Sequence, residues 1–412
     1  MNQSLRRDGQ KVINHAIQAV LPDEAVYRAL KGRKFSGKVV LVAAGKAAWQ
    51  MAKAAHDCMG SEIQEGVVIT KYDHVKGPIA NFSCYEGGHP VPDENSFRGT
   101  QAAIELVSGL SENDTVIFLL SGGGSALFEK PLIPAEELQD ITNQLLASGA
   151  DIVEMNTIRK RLSAVKGGRF AQLCAPAHVF SVVLSDILGD PPDMIASGPA
   201  CPDRSTCAEA YAIVEKYALH LSDCAKELLN QETPKALDHA ESLITGSVRE
   251  LCLAAARACQ DLGYEPTILT DQLCCEAKEA GSFLASVVRS HAGDGKSLAF
   301  IAGGETVVHL TGTGKGGRNQ ELALSAAAGI AGLDNALVFS VGSDGTDGPT
   351  DAAGGMVDGD TESELAAKGF QIHRVLAQND AYHALKATDC LIFTGPTGTN
   401  VNDVAVALIR GK

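Results

Sequence analysis

Apolar residues along this chain follow two rhythms. Short continuous runs of strand length alternate with longer segments in which apolar positions return every three to four residues. Runs at 39–44, 66–70, 115–120, 179–184, 267–270, 298–302, 306–310, 336–341 and 390–393 predict strands. Helical spacing over 47–59, 96–110, 208–217, 248–262, 276–291, 320–331 and 401–409 predicts helices. Strand and helix in regular succession are what βα units around a largely parallel sheet produce, so the predicted fold class is α/β.

Length divides this picture in two. A chain of 412 residues exceeds what one core holds, about 250 to 300 residues, and two domains are expected. The polar, proline-containing stretch 230–241 interrupts both rhythms and carries no apolar face. A boundary at its centre gives an N-terminal domain over 1–236 and a C-terminal domain over 237–412.

Charge and composition then remove several classes of function. A formal net charge of −15 repels nucleic acid phosphates and anionic bilayers, so neither is an expected partner, although a small anion can bind where cations cluster. No apolar stretch approaches the roughly 18 residues of a membrane helix. The polar start 1–11 holds no signal core, and a cytoplasmic protein is expected. Eleven cysteines, an odd number without C-x-x-C spacing, read as free thiols in a reducing compartment, with the adjacent Cys274 and Cys275 serving helix packing. Glycine is over-represented at 42 residues, and the excess gathers where the apolar runs end.

Those ends carry the candidate chemistry, because ligands of open α/β sheets sit beyond the carboxyl ends of the strands. Gly45-Lys46 follows the first run, Ser121-Gly122-Gly123-Gly124-Ser125 the third, and Ser185-Asp186 the fourth. Gly303-Gly304-Glu305 follows the sixth run, and Gly342 to Asp347 the eighth. Three glycines between two hydroxyls make a nest of backbone N–H groups for a phosphate or carboxylate, and the positive end of a following helix is expected to reinforce it. Asp186, directly at a strand end, is the candidate general base. Arg318 opens a predicted helix and suits an anionic phosphoryl group. Asp344, Asp347 and Asp351 share a tight loop whose oxygens suit Mg2+.

Several motifs imitate other functions. Gly32 to Lys38 spells G-x-x-x-x-G-K, but Val39 stands where a P-loop needs Ser or Thr, and the motif precedes a strand. Gly295-Lys296-Ser297 has Ser290 in place of the first glycine, so any use of ATP proceeds without a Walker motif. Gly312 to Gly317 spells G-x-G-x-x-G between a predicted strand and a predicted helix, which by itself is a weak signal for a dinucleotide. Ser121 and Ser125 lie in no G-x-S-x-G elbow, which argues against serine hydrolysis. His89, within Gly87-Gly-His-Pro-Val-Pro92, is expected to shape a turn rather than act as a base.

In order along the chain, Ala44-Gly-Lys-Ala47, Gly88-His-Pro-Val-Pro-Asp93, Leu120-Ser-Gly-Gly-Gly-Ser-Ala-Leu127, Lys166-Gly-Gly-Arg169, Ser197-Gly-Pro199, Gly303-Gly-Glu-Thr306, Gly316-Gly-Arg-Asn-Gln-Glu321, Ser343-Asp-Gly-Thr-Asp-Gly348 and Thr397-Gly-Thr-Asn-Val-Asn-Asp403 form a highly specific set. Over almost the whole chain it resembles the glycerate 2-kinase family, the class II glycerate kinases whose C-terminal part is the MOFRL domain. The resemblance implies a Rossmann-like α/β/α N-terminal domain, a smaller C-terminal α/β domain and an active site in the cleft between them. It also implies phosphorylation of D-glycerate by ATP with Mg2+, at the 2-hydroxyl, and leaves room for a homodimer. By this likeness Lys46 and Arg318 contact the phosphoryl group and offset its charge.

The remaining roles follow from the chemistry already described. Ser121, Gly122, Gly123, Gly124 and Ser125 would hold a phosphate or the glycerate carboxylate, Asp186 would draw the hydroxyl proton, Glu305 or Asn319 would orient substrate, and Asp344 or Asp347 would position Mg2+. The chain departs from the family pattern at Val248, where members often have Asn, and at Ala200-Cys201 in place of a usual Thr-Val. Some members have been labelled hydroxypyruvate reductases, which makes an NAD(P)H-dependent reductase the alternative; a non-catalytic sugar-acid sensor is a third reading.

Overall fold

The computed structural model describes residues 3–411 and resolves two compact units, one over Pro22–Thr245, the other joining residues 3–21 to 246–411. The first unit contains β1 Val39–Ala44, β2 Ile63–Lys71, β3 Phe82–Gly87, β4 Thr115–Leu120, β5 His178–Leu184 and β6 Ala240–Gly246, arranged β3-β2-β1-β4-β5-β6. β1 pairs in parallel with β2 and β4, and the parallel pairing continues to β3 and β5.

Both faces of this sheet are covered, which is why its central strands read as unbroken apolar runs. Val40, Val42, Ala44, Val116, Phe118 and Leu120 face one core, together with Ala103 and Val107 of helix Glu94–Val107. The alternate residues Val39, Leu41, Ala43, Ile117 and Leu119 face the other, with Met51, Ala52 and Ala55 of helix Ala48–Met59. A separate helical cluster, from helices Ala135–Ala147, Ile152–Arg161, Cys207–Lys216 and Asp223–Leu229, buries Ile141, Leu145, Ile158 and Ala210.

The second unit is built differently. Its strands are β7 Glu265–Leu273, β8 Leu298–Gly304, β9 Ala336–Gly342, β10 Gly354–Asp358, β11 Leu391–Ile392 and β12 Asp403–Ile409, in the order β11-β10-β9-β12-β8-β7. β12 runs antiparallel to both β8 and β9, β10 is antiparallel to β9, and only β7 and β8 pair in parallel. The expectation of a largely parallel sheet therefore holds for the first unit and not for the second.

Three further expectations change. Residues 401–409 form the central strand β12 rather than a helix: Val404 and Val406 alternate with Ala405 and Ala407 in a fully buried run. Residues 306–310 form no strand beyond the isolated bridge of Val307 to Glu276. The stretch 230–241 is not a free tether. Thr233 donates to Asp203 at 2.8 Å, and β6 joins the first sheet, so the units divide after Thr245 rather than at residue 236.

Residues 3–21 belong to the second unit through helix Gln3–Ala19. It buries Leu5, Val12, Ile13 and Ala16, while Arg6 pairs with Asp358 at 2.8 Å and the Tyr264 hydroxyl donates to Asp8 at 2.8 Å. All eleven cysteines are free thiols. No helix among the described residues is long and apolar enough to cross a membrane. Truncating the buried Ile13 leaves a cavity, so Ile13→Ala should lower the stability of the second unit by about 2 to 5 kcal/mol. Urea unfolding read by hydrogen exchange within 246–411 checks this; an unchanged midpoint there would mean the helix is not part of that core.

Candidate active site

In the first unit the strand order turns at β1 and β4, whose carboxyl ends border the position where doubly wound sheets hold ligands. The two following loops touch. Gly45 has φ +121°, and a Cβ there would lie 2.3 Å from Ser121 Oγ, so the approach requires glycine. The Lys46 N–H donates to the Gly122 carbonyl at 2.9 Å, and the Ala47 N–H donates to Ser121 Oγ at 3.1 Å. Thr70 Oγ1 donates to the Lys46 carbonyl at 3.2 Å, and His74 Nδ1 lies 2.9 Å from that same oxygen. The Lys46 backbone is thus fixed on both sides. Its ammonium forms no ion pair among the described residues.

The glycine loop gathers the remaining groups. Gly123 has φ +84°, and a methyl group there would lie 3.1 Å from Lys46 Cγ, 3.0 Å from His89 Cδ2 and 3.1 Å from His89 Nε2. A methyl at Gly122 would fall 2.5 Å from Asp186 Oδ2. Ser121, Gly122, Gly123, Lys46 and Asp186, each selected as following an apolar run, are therefore neighbours. His89, expected only to shape a turn, joins them. Burial lowers its pKa below the ordinary histidine value, and Lys46, Lys71 and His74 lower it further.

Two basic residues outside the candidate set hold the far end of the loop. The Ser125 carbonyl accepts from Lys166 Nζ at 2.8 Å and Arg159 Nη2 at 3.3 Å. Lys166 is fully buried against Glu129 at 3.3 Å, and burial pulls its pKa down to about 8. The helix expected to lend its positive end to the nest is a single turn, Gly124–Leu127, so the loop amides and the neighbouring cations must do that work.

In the second unit the reversed direction of β12 sets Asp403 opposite both Gly304 and Gly342, at the carboxyl ends of β8 and β9. Arg318, the first residue of helix Arg318–Gly329, is forked onto it: Nε lies 2.5 Å from Asp403 Oδ2 and Nη2 lies 3.1 Å from Oδ1. Its Nη1 donates to Glu305 at 2.7 Å, and Asn402 Nδ2 donates to the other Glu305 oxygen at 3.1 Å. Burial opposes the charge, but Asp403 and Glu305 outweigh it and hold the Arg318 pKa above its ordinary value.

Two expected site residues have other work. Asp347 is only 3% exposed and accepts the backbone N–H groups of Asn319 at 3.1 Å and Gln320 at 2.9 Å, which makes it a cap of helix Arg318–Gly329. Asn319 is buried and accepts from Ser340 Oγ at 2.6 Å, so its side chain faces the interior instead of a substrate. Asp344 remains partly exposed and accepts the Thr346 N–H at 2.9 Å. No group of three or more His, Cys, Asp or Glu among the described residues is arranged to hold a metal. The G-x-G-x-x-G segment is filled from within: a methyl at Gly312 would lie 2.3 Å from the Gln378 carbonyl, and one at Gly314 would lie 2.4 Å from Asp380 Cβ.

A doubly wound unit with a backbone anion nest beside an unpaired lysine, and a second unit presenting a forked arginine, belongs to the α/β enzymes that handle oxyanions. Residues 8–230 match the family described as a domain of unknown function (DUF4147), and residues 298–403 match the MOFRL family. The chain is 51% identical to the D-glycerate 2-kinase of Thermotoga maritima across 99% of both sequences. It is 40% identical to the glycerate 2-kinase of Pyrococcus horikoshii, covering 99% of this chain and 98% of the relative. A crystal structure of a Thermotoga maritima glycerate kinase superposes with a TM-score of 0.95 at 51% identity, covering 99% of this chain and 100% of the other. The chain belongs to the glycerate 2-kinase family and is a phosphotransferase.

Two outcomes follow from the geometry. Gly123→Ala forces a left-handed backbone onto a residue with a side chain and pushes it against Lys46 and His89, so kcat/KM should fall at least tenfold while the melting temperature moves by a few degrees. Near-parental kinetics would show that the loop does not need this close approach. Burial raises the Asp347 pKa to about 6. A raised carboxyl pKa adds stability below the unfolded value near 4 and loses it as pH climbs through 6. The parent should therefore lose roughly 2 to 3 kcal/mol across that window relative to Asp347→Asn. Parallel urea curves at pH 4 and pH 7 that give the same difference would contradict this.

Proposed function

We propose that this protein transfers the terminal phosphoryl group of ATP, with Mg2+, to the 2-hydroxyl of D-glycerate, giving 2-phosphoglycerate. The observation that carries this reading is the convergence of Lys46, Asp186 and the Ser121–Ser125 nest at the carboxyl ends of β1, β4 and β5. Phosphoryl transfer asks a protein chiefly to align donor and acceptor and to neutralise the charge of the moving group.

Each requirement has a residue. Amides of Gly122 and Gly123 bind an oxyanion, while the Gly124 N–H donates to the Ser121 carbonyl at 3.3 Å and closes the turn, and the Lys46 ammonium adds the positive charge that amides lack. Asp186 accepts the proton of the attacking hydroxyl, whose oxygen then bonds phosphorus as the bond to the leaving ADP oxygen breaks. On the second unit Arg318 keeps donors to spare: a guanidinium carries five N–H groups, and three are held by Asp403 and Glu305. Glu305 thereby orients Arg318.

Magnesium usually keeps several waters and binds one or two carboxylates together with substrate phosphates. The residues present suit that mode and not a closed protein cage, with Asp344 the carboxylate available to it. The bound metal would supply charge neutralisation on the phosphates. The glycines that suggested a dinucleotide, on which a reductase would depend, pack instead against residues 378–380.

Phosphorus NMR of a reaction containing D-glycerate, ATP and Mg2+ tests the reading. A 2-phosphoglycerate resonance supports it, whereas 3-phosphoglycerate would move the attacking oxygen and oxidation of NADH by hydroxypyruvate would replace the reaction class. Lys46→Ala and Arg318→Ala should each lower kcat by on the order of a hundredfold or more, as loss of a charge contact to a transition state does. Turnover within a few-fold of the parent would remove either residue from the site.

A further inference from the structure

The imidazole of His89 has no assigned role in the reaction as described so far. Its position is unusual for a residue that only shapes a turn. The ring stands beside Gly123, with Nε2 3.1 Å from where a methyl on that residue would sit and Lys46 Cγ at the same distance. It makes no hydrogen bond to protein among the described residues. The acids on the surrounding segments are engaged elsewhere. Glu86 on β3 accepts the N–H groups of His74 at 3.0 Å and Val75 at 2.9 Å, while Asp93 accepts from Ser96 N at 3.0 Å and from the Tyr72 hydroxyl at 2.7 Å.

The groups that do face this ring are cationic or imidazole: Lys46, Lys71 and His74. A partly exposed ring whose nitrogens make no hydrogen bond to protein, set beside Lys46 and the Gly123 backbone, is open to an acceptor from outside the chain. We propose that His89 contacts the ligand directly, its Nε2–H donating to an oxyanion seated on the Gly122 and Gly123 amides beside the Lys46 ammonium. This rests on the kinase reading above and deepens it by adding a side-chain donor to the nest. Burial and the three neighbours also favour the neutral ring, which bears one N–H and so needs no second charge in the site. Two ligands carry suitable oxygens, the acceptor through its carboxylate and the donor through its terminal phosphate.

Steady-state kinetics of the full chain, with D-glycerate and ATP varied separately, decide the matter for His89→Ala and His89→Gln. His89→Ala should raise one of the two KM values at least tenfold, and His89→Gln, whose amide N–H reaches toward the Nε2 position, should return it to within about threefold. A shift in the D-glycerate KM identifies the carboxylate as the bound group; a shift in the ATP KM identifies the phosphate. Titration calorimetry of the same proteins with D-glycerate and with ATP reads the contact without turnover. A parent inactive on both substrates would refute the kinase reading, while the calorimetric comparison would still judge His89. Melting curves within a few degrees of the parent exclude loss of fold. KM and Kd values within twofold of the parent in His89→Ala, or a Gln variant no better than Ala, would overturn the proposal.

Discussion

The contact between the loops after β1 and β4 is the constraint on which the first unit's chemistry rests. The parallel register places Ala44 beside Leu120, so the chains leave the sheet side by side. Only a residue without a side chain lets them stay together, because a Cβ at Gly45 would overlap Ser121. Two hydrogen bonds then lock the arrangement, from Lys46 N–H to Gly122 and from Ala47 N–H to Ser121 Oγ. Each is worth about 1 kcal/mol, comparable to the entropy lost in ordering a glycine, so the junction is held as much by the buried strands beneath as by its own bonds.

Cations in an acidic chain gain meaning from that junction. The net charge of −15 repels anions at long range, yet Lys46, Lys71, Arg159 and Lys166 all lie around one loop or its immediate supports. Within a Debye length of about 8 Å at physiological salt, local charges outweigh the distant total. The second unit reaches a comparable end by another route. There an antiparallel strand, not a βα loop, delivers Asp403 to the carboxyl ends of β8 and β9, and Asp403 with Glu305 fixes the plane of the Arg318 guanidinium.

How much of this was legible in the chain depended on whether the signal was local. Val39–Ala44 and Thr115–Leu120 declared themselves because strands covered on both faces are apolar at every position. Phe82–Gly87 escaped because it is half exposed and contains Ser and Glu, and Gly354–Asp358 because paired glycines resemble a turn. Asp403–Ile409 was taken for a helix since an Ala-rich buried run satisfies either rhythm. Lys46, the triple glycine and Asp186 were visible as residues that follow strands. The helix-capping bonds of Asp347 left no trace in its own loop, because its partner Asn319 lies 28 residues away in the chain. His89 and Lys166 lie in recognisable motifs, but their contacts with Gly123 and the Ser125 carbonyl, like that of Arg159, were not legible, because they arise only when distant segments meet.

Amide NMR on the protein labelled with 15N-glycine measures the central claim most directly, since it observes the nest itself. Titration with D-glycerate, and separately with ATP, should shift the resonances of Gly122, Gly123 and Gly124 in at least one case while those of Gly109 and Gly149 stay fixed. Saturable binding that leaves all three resonances in place would contradict the account.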